Sequence, residues 1–156
     1  MKIAVCDDCM RDALSVKRFL GGHEARVYSD VDSLLADVKN KKMRYDLYLL
    51  DIYMEGPVNG IELAKMLVRE QEEAAICFIS TSNDFYREAY DLYAVQYLLK
   101  PVREEDVKQL LERVSVFLLP YNTSWTPESV ARQQSGQRRS NCPHDTYSQE
   151  NSGGSA

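Results

Sequence analysis

Apolar residues fall along this chain in two alternating patterns, short solid runs and longer stretches with a helical period. Runs at 1–6, 25–29, 45–54, 74–79 and 95–99 have the length of strands, and the third is unbroken from Leu47 to Leu50. Between them, Met10, Ala13, Leu14, Val16, Phe19 and Leu20 recur at roughly helical spacing until Gly21-Gly22 stops them. Val31, Leu34, Leu35 and Val38 repeat that spacing behind Ser29 or Asp30 as a cap, and the lysines from Lys39 to Lys42 suit that helix's negative end. Ile61, Ala64, Leu67 and Val68 mark a third helix over 60–70. Residues 83–93 mix charges with Phe85, Tyr86, Ala89, Tyr90 and Leu92, which predicts a shorter and more polar fourth helix. Residues 103–119 carry the strongest stripe, through Val107, Leu110, Leu111, Val114, Phe117 and Leu118.

Five strands alternating with five helices predict an α/β domain, a doubly wound five-stranded parallel sheet with helices on both faces, because right-handed crossovers lay each helix against the sheet. Such sheets take ligands at the carboxyl ends of their strands, near the point where strand order reverses.

The pattern collapses beyond Pro120. Residues 121–156 are rich in Ser, Gln, Asn, Arg and Gly, with Val130 the only aliphatic residue larger than Ala. That composition cannot offset its ordering entropy, so the expected division is one domain over 1–119 and a disordered polar tail over 120–156. The formal net charge of -5 lies wholly within the domain, which argues against direct nucleic-acid binding by it. No apolar run reaches the length of a membrane span, and Met1 leads straight into a strand without a signal-peptide pattern, so a cytoplasmic protein is expected. Cysteines at 6, 9, 77 and 142 are scattered and suit reduced thiols.

Composition leaves the chemistry to the strand ends. Asp7 and Asp8 follow the first strand, Asp51 closes the third, Ser80 the fourth and Lys100 the fifth. A carboxylate closing a buried strand needs a cation, donors or an open crevice. Three carboxylates brought together repel, and a hard divalent cation that binds through a few carboxylates relieves this, so a Mg²⁺ site is inferred. With the cation, an ammonium and a small hydroxyl around it, Asp51 is placed as a nucleophile toward a phosphoryl group.

On these residues the chain resembles bacterial response-regulator receiver domains, the phosphoacceptors of two-component signalling. The resemblance spans about residues 1–119. Val5-Cys6-Asp7-Asp8 looks like the family's acidic pair, Leu50-Asp51-Ile52-Tyr53-Met54 its phosphorylation site, Ile79-Ser80-Thr81 its switch hydroxyl, and Tyr97-Leu98-Leu99-Lys100-Pro101 its aromatic and lysine signature. Each tetrapeptide is weak alone, and four in order at the right strand ends are specific. Tyr86, Ala89 and the Tyr97 to Pro101 segment look most like the LytTR-type subfamily, whose members usually carry a DNA-binding domain after the receiver.

The resemblance implies the (βα)5 flavodoxin-like receiver fold. It makes Asp8 the more direct Mg²⁺ ligand, Asp7 a ligand partly through water, and the Tyr53 main-chain carbonyl a further ligand beside Asp51. It implies that Asp51 takes the phosphoryl group from a sensor histidine kinase, that Ser80 and Tyr97 form the switch, and that the Lys100-Pro101 bond is cis. It further implies a phosphoacceptor with only self-catalysed transfer and dephosphorylation, and an output surface or homodimer interface on the fourth helix, fifth strand and fifth helix. Three departures stand out: Glu55 where the family often has Pro in a loop one residue longer, Cys9 after the acidic pair, and no DNA-binding domain within 120–156. The expectation is a stand-alone receiver or a truncated regulator.

Other readings fit less of the chain. Cys6-Asp7-Asp8-Cys9 has redox spacing, but the two carboxylates would raise the thiolate pKa, and as a zinc half-site it lacks a second pair. A phosphohydrolase of the haloacid dehalogenase type would want a second Asp where Tyr53 stands. A pseudo-receiver would not need the full quintet.

Overall fold

The computed structural model describes residues 1–119. Ten elements alternate: β1 (Lys2–Cys6), α1 (Met10–Phe19), β2 (Glu24–Tyr28), α2 (Val31–Lys39), β3 (Leu47–Asp51), α3 (Gly60–Glu70), β4 (Ala75–Ser80), α4 (Tyr86–Asp91), β5 (Gln96–Leu99) and α5 (Glu104–Phe117). The strands pair in parallel in the order β2-β1-β3-β4-β5. Winding therefore reverses between β1 and β3, and the crevice that reversal opens lies at the ends of the two strands that carry Asp7, Asp8 and Asp51. The expected polar tail, 120–156, lies outside the described residues.

Side-chain alternation along the strands divides the core in two. Ala4, Cys6, Tyr48, Leu50, Ile76 and Phe78 face α2, α3 and α4, packing with Leu34, Leu63, Leu67 and Ala89. Ile3, Val5, Leu47, Leu49, Cys77 and Ile79 face α1 and α5, packing with Ala13, Val16, Leu110 and Val114. The three inner strands are covered on both sides, which is why β3 and β4 read as continuous apolar runs.

Local signals place the helices. The Asp30 carboxylate accepts the Ser33 N–H and caps α2, and Asn59 does the same for α3 through the Glu62 N–H. Gly60 opens α3 because nothing larger fits: a Cβ there would stand 2.2 Å from the Asp51 carbonyl oxygen. Two expectations needed adjusting. The fourth helix is only Tyr86–Asp91, since the chain turns through Ser82 and Asp84 first and leaves it through Tyr93 at φ 54°. Met10 and Leu14, counted in the apolar stripe of α1, are about half exposed, because the covered face is made by Ala13, Val16 and Leu20. Among the described residues no helix is long and apolar enough to cross a membrane.

Candidate functional site

Parallel strands ending at one edge bring five of the expected residues together. Carboxylate oxygens of Asp7, Asp8 and Asp51 lie within 4.8 Å of one another. Lys100 Nζ reaches Asp7 Oδ2 at 2.9 Å and Asp51 Oδ2 at 3.4 Å. The lysine is aimed from the end of β5, whose chain is pinned to β4 by the Lys100 N–H on the Ser80 carbonyl, and the Lys100-Pro101 bond is cis. Ser80 closes β4, fully buried, with its hydroxyl accepting the Ser82 N–H.

The carboxylates differ in what they have left to offer. Both oxygens of buried Asp7 are engaged, one by the Cys9 N–H at 2.8 Å and one by Lys100. Asp8 is exposed, and one oxygen accepts the Glu55 N–H, tying the loop after β3 to the acidic pair. Asp51, 4 % exposed, takes the Tyr53 N–H on Oδ1 at 3.3 Å and Lys100 on Oδ2. Burial, and then the charge of Asp7, push its carboxyl up to about 6 against the pull of Lys100. Burial pulls Lys100 down, but its hydrogen bond to Asp7 and the charges of Asp51 and Asp7 outweigh that and raise it, so it stays an ammonium. Three acidic side chains share one cation, and the deficit of positive charge is what a hard divalent ion would fill.

Tyr97 stands beside this cluster, on β5. Its hydroxyl donates to the Ser82 carbonyl at 2.6 Å and its ring packs on Tyr86, centroids 4.3 Å apart. Burial raises its phenol pKa, partly offset by the Ser80 side chain. Tyr53 also reaches over the loop after β4: its hydroxyl meets Ser82 Oγ at 3.3 Å and Asp84 Oδ2 at 3.2 Å, and its ring packs edge-on to Phe85. One loop therefore carries contacts from both sides of Asp51.

Two residues escaped the sequence reading. Asp12 in the first turn of α1 places Oδ2 3.3 Å from Lys100 Nζ; its position one turn beyond Asp8 was the available signal. Gly60 was read as a helix start, not as the close contact beneath Asp51. The Cys6-x-x-Cys9 spacing carries no redox pair: Cys6 is buried against Met54 Sδ, and burial, with Asp30 and Asp7 nearby, pushes its thiol up to about 12.

A doubly wound parallel sheet with an acidic triad and a lysine at its switch point defines a class of α/β domain whose chemistry sits at the strand ends. Residues 3–112 match the family described as "Response regulator receiver domain", and the chain belongs to it. It is thus a receiver domain of two-component signalling. Its relatives include the "Positive alginate biosynthesis regulatory protein" of Pseudomonas aeruginosa, 37% identical over 73 residues, 47% of this chain and 29% of that protein. The "Sensory transduction protein LytT" of Bacillus subtilis is 29% identical over 117 residues, 72% of this chain and 47% of that protein. The chain thus spans less than half the length of these curated relatives, and their LytT and alginate-regulator kinship bears out the subfamily resemblance. Among solved structures, Vibrio cholerae chemotaxis protein CheY4 superposes with a TM-score of 0.63 at 27% identity, over 72% of this chain and 97% of that one. A CheY-like receiver domain from Methanospirillum hungatei gives 0.66 at 21% identity, over 74% and 94%, a likeness of fold.

Proposed function

We propose that Asp51 is the phosphoacceptor of this receiver and that Asp7, Asp8, Asp51 and the Tyr53 main-chain carbonyl hold a Mg²⁺ ion beside it. The observation that carries this reading is the convergence of three carboxylates and one ammonium at the sheet's switch point. The donor set fits a hard cation: all are oxygens, and exposed Asp8 has capacity left where Asp7 has little. The bound cation would supply positive charge against the carboxylates and the transferred phosphoryl oxygens.

In the transfer, an Asp51 carboxylate oxygen attacks the phosphorus of a kinase phosphohistidine. The P–N bond breaks with its electron pair going to the imidazole nitrogen, and an acyl phosphate forms on Asp51. Lys100 holds one phosphoryl oxygen and the Ser80 hydroxyl turns to another. Tyr97 follows by giving up its bond to the Ser82 carbonyl. Two or three charge-assisted hydrogen bonds at about 1.5 to 3 kcal/mol each reach the ~5.5 kcal/mol that carries a two-state equilibrium from 1:99 to 99:1. The chain is a phosphoacceptor with self-catalysed transfer and dephosphorylation only, acting in the cytoplasm on the signal of a sensor histidine kinase.

The output face is α4, β5 and α5, as a homodimer contact or a contact to an output partner, with transcription regulation the role of the full-length relatives. Tyr86, Tyr90 and Tyr93 are exposed there, the last two at 82% and 90%, and aromatic side chains are enriched at interfaces.

Beryllofluoride, which stands in for a phosphoryl group on a carboxylate, tests the site. Calorimetry with Mg²⁺ should show binding to the wild type and none to Asp51→Ala. Equal binding by both would overturn the assignment.

A further inference from the structure

Lys100 is held by more acids than a phosphoacceptor site needs. Its ammonium has three N–H donors, and three carboxylates surround it, Asp7 Oδ2 at 2.9 Å, Asp12 Oδ2 at 3.3 Å and Asp51 Oδ2 at 3.4 Å. Two of the three belong to the set of mutually close carboxylates, and Asp12 does not. Asp12 stands on α1 and lines an open cleft with Asp7, Ser15, Thr81, Lys100 and Pro101. Its side chain is 38% exposed, and its other partner, Arg11 at 3.8 Å, is almost wholly in solvent and screens it little.

Two of the donors are held in hydrogen bonds, by Asp7 and by Asp12, and Asp51 meets the ammonium only as an ion pair at 3.4 Å. A phosphoryl oxygen on Asp51 draws the lysine toward itself against the hold of those two acids. Asp7 sits deep and already anchors the turn into α1 through the Cys9 N–H. Asp12 is the partner that competes without contributing to the acidic triad, and its charge also adds to the repulsion an incoming anion meets.

We propose that Asp12 is a positioning residue that holds Lys100 back from the acceptor and so limits how tightly this receiver retains a phosphoryl group. The inference rests on the reading of Asp51 as acceptor and Lys100 as its phosphoryl-binding cation. It gives the two ligands of the site opposite signs. Loss of the Asp12 charge frees one lysine donor and eases anion binding, while it removes a negative charge from the neighbourhood of a divalent cation. A role confined to holding α1 in place would weaken both.

The experiment titrates the full chain with Mg²⁺ alone and then, at saturating Mg²⁺, with beryllofluoride, for wild type, Asp12→Asn and Asp12→Glu, with melting curves to verify folding. Asp12→Asn should bind beryllofluoride about three- to tenfold tighter and Mg²⁺ no more tightly than wild type. Asp12→Glu, which restores the charge on a side chain one methylene longer, should return both affinities to within about twofold of wild type, a threshold set well inside the tenfold that 1.4 kcal/mol makes. Beryllofluoride binding by Asp12→Asn that is unchanged or weaker, beside normal binding by wild type, overturns this inference and leaves the acceptor assignment standing. Failure of the wild type itself to bind beryllofluoride overturns both.

Discussion

Two buried carboxylates of this domain meet opposite surroundings. Asp37, on α2, is 7% exposed and meets donors on both oxygens: Lys41 at 2.7 Å, Tyr28 hydroxyl at 2.8 Å and Arg26 at 3.0 Å. Those hydrogen bonds, Lys41's the largest, hold its carboxyl down to about 2. Asp51, 4% exposed, shares Lys100 with two other acids and is pushed up to about 6. Solvent exposure is similar in the two places, but Asp51 is raised first by burial and then by the charge of Asp7, whereas at Asp37 the hydrogen bonds outweigh burial. A carboxylate met by cations and a hydroxyl on both oxygens is satisfied as structure, whereas one left short of positive charge is the kind of group found at functional sites.

The comparison breaks most completely at Gly60. Ala there would drive its Cβ onto the backbone carbonyl of Asp51, a contact of 2.2 Å with nothing flexible to yield. The expected cost is about 3 kcal/mol of folding stability. In a urea melt the variant should unfold well before wild type, and any folded fraction should lose beryllofluoride affinity, because α3 or the end of β3 must shift. A Gly60→Ala protein with wild-type stability would mean that the acceptor strand is not braced by α3.

Next in size is Asp37→Ala, which strips the acceptor from a cluster with no role in phosphoryl chemistry. Arg26 and Lys41 are more than half exposed and can turn to water, so the loss falls on the buried Tyr28 and Tyr45 hydroxyls that bond to each other beneath it. About 2 kcal/mol of stability should go, measured by urea denaturation. Mg²⁺ and beryllofluoride affinities should stay within about twofold, far short of the tenfold that 1.4 kcal/mol makes. A large fall in either affinity would show that the two clusters are coupled through the sheet.

How far this contrast could be read from the sequence depends on which physical term sets each residue. The strand ends carrying Asp7, Asp8, Asp51, Ser80 and Lys100 were legible, because apolar runs locate strands and parallel crossovers send all their ends to one edge. The helix start at Asp30 was legible through cap chemistry, and that at Gly60 through the apolar spacing that follows it. The exposure of Met10 and Leu14 was not, since periodicity gives a stripe's existence and not how much of it the neighbours cover. Asp12 and Asp37 were missed for a related reason. Both are acids on helices, where solvent is the ordinary partner, and only the tertiary approach of Lys100 in one case and of Tyr28 and Arg26 in the other gives them a role.

The smallest effect is the one that tests the contrast most directly, because it turns on the sign of the Asp51 shift. With chelator present, ionised Asp51 costs the fold burial and repulsion from Asp7. Its carboxyl is raised from the ordinary value near 4 to about 6. The native state therefore holds a proton that the unfolded chain has released between those two values. Its contribution to stability falls as pH rises through this window, and the penalty is complete above it. Asp51→Asn, neutral at every pH, should be more stable than wild type by about 1–2 kcal/mol at pH 8. That advantage should shrink as pH drops from 6 toward 4. Asp37 runs the other way: its lowered carboxyl supports the fold above the unfolded value and gives that support up as pH falls from 4 toward 2. Urea melts of wild type, Asp51→Asn and Asp37→Ala across pH 3 to 8 should thus show the Asn variant's gain confined to the upper range and the Ala variant's loss fading only in strong acid. An Asp51→Asn protein less stable than wild type at pH 8 would mean that Lys100 outweighs burial and Asp7, and that Asp51 is held as firmly as Asp37.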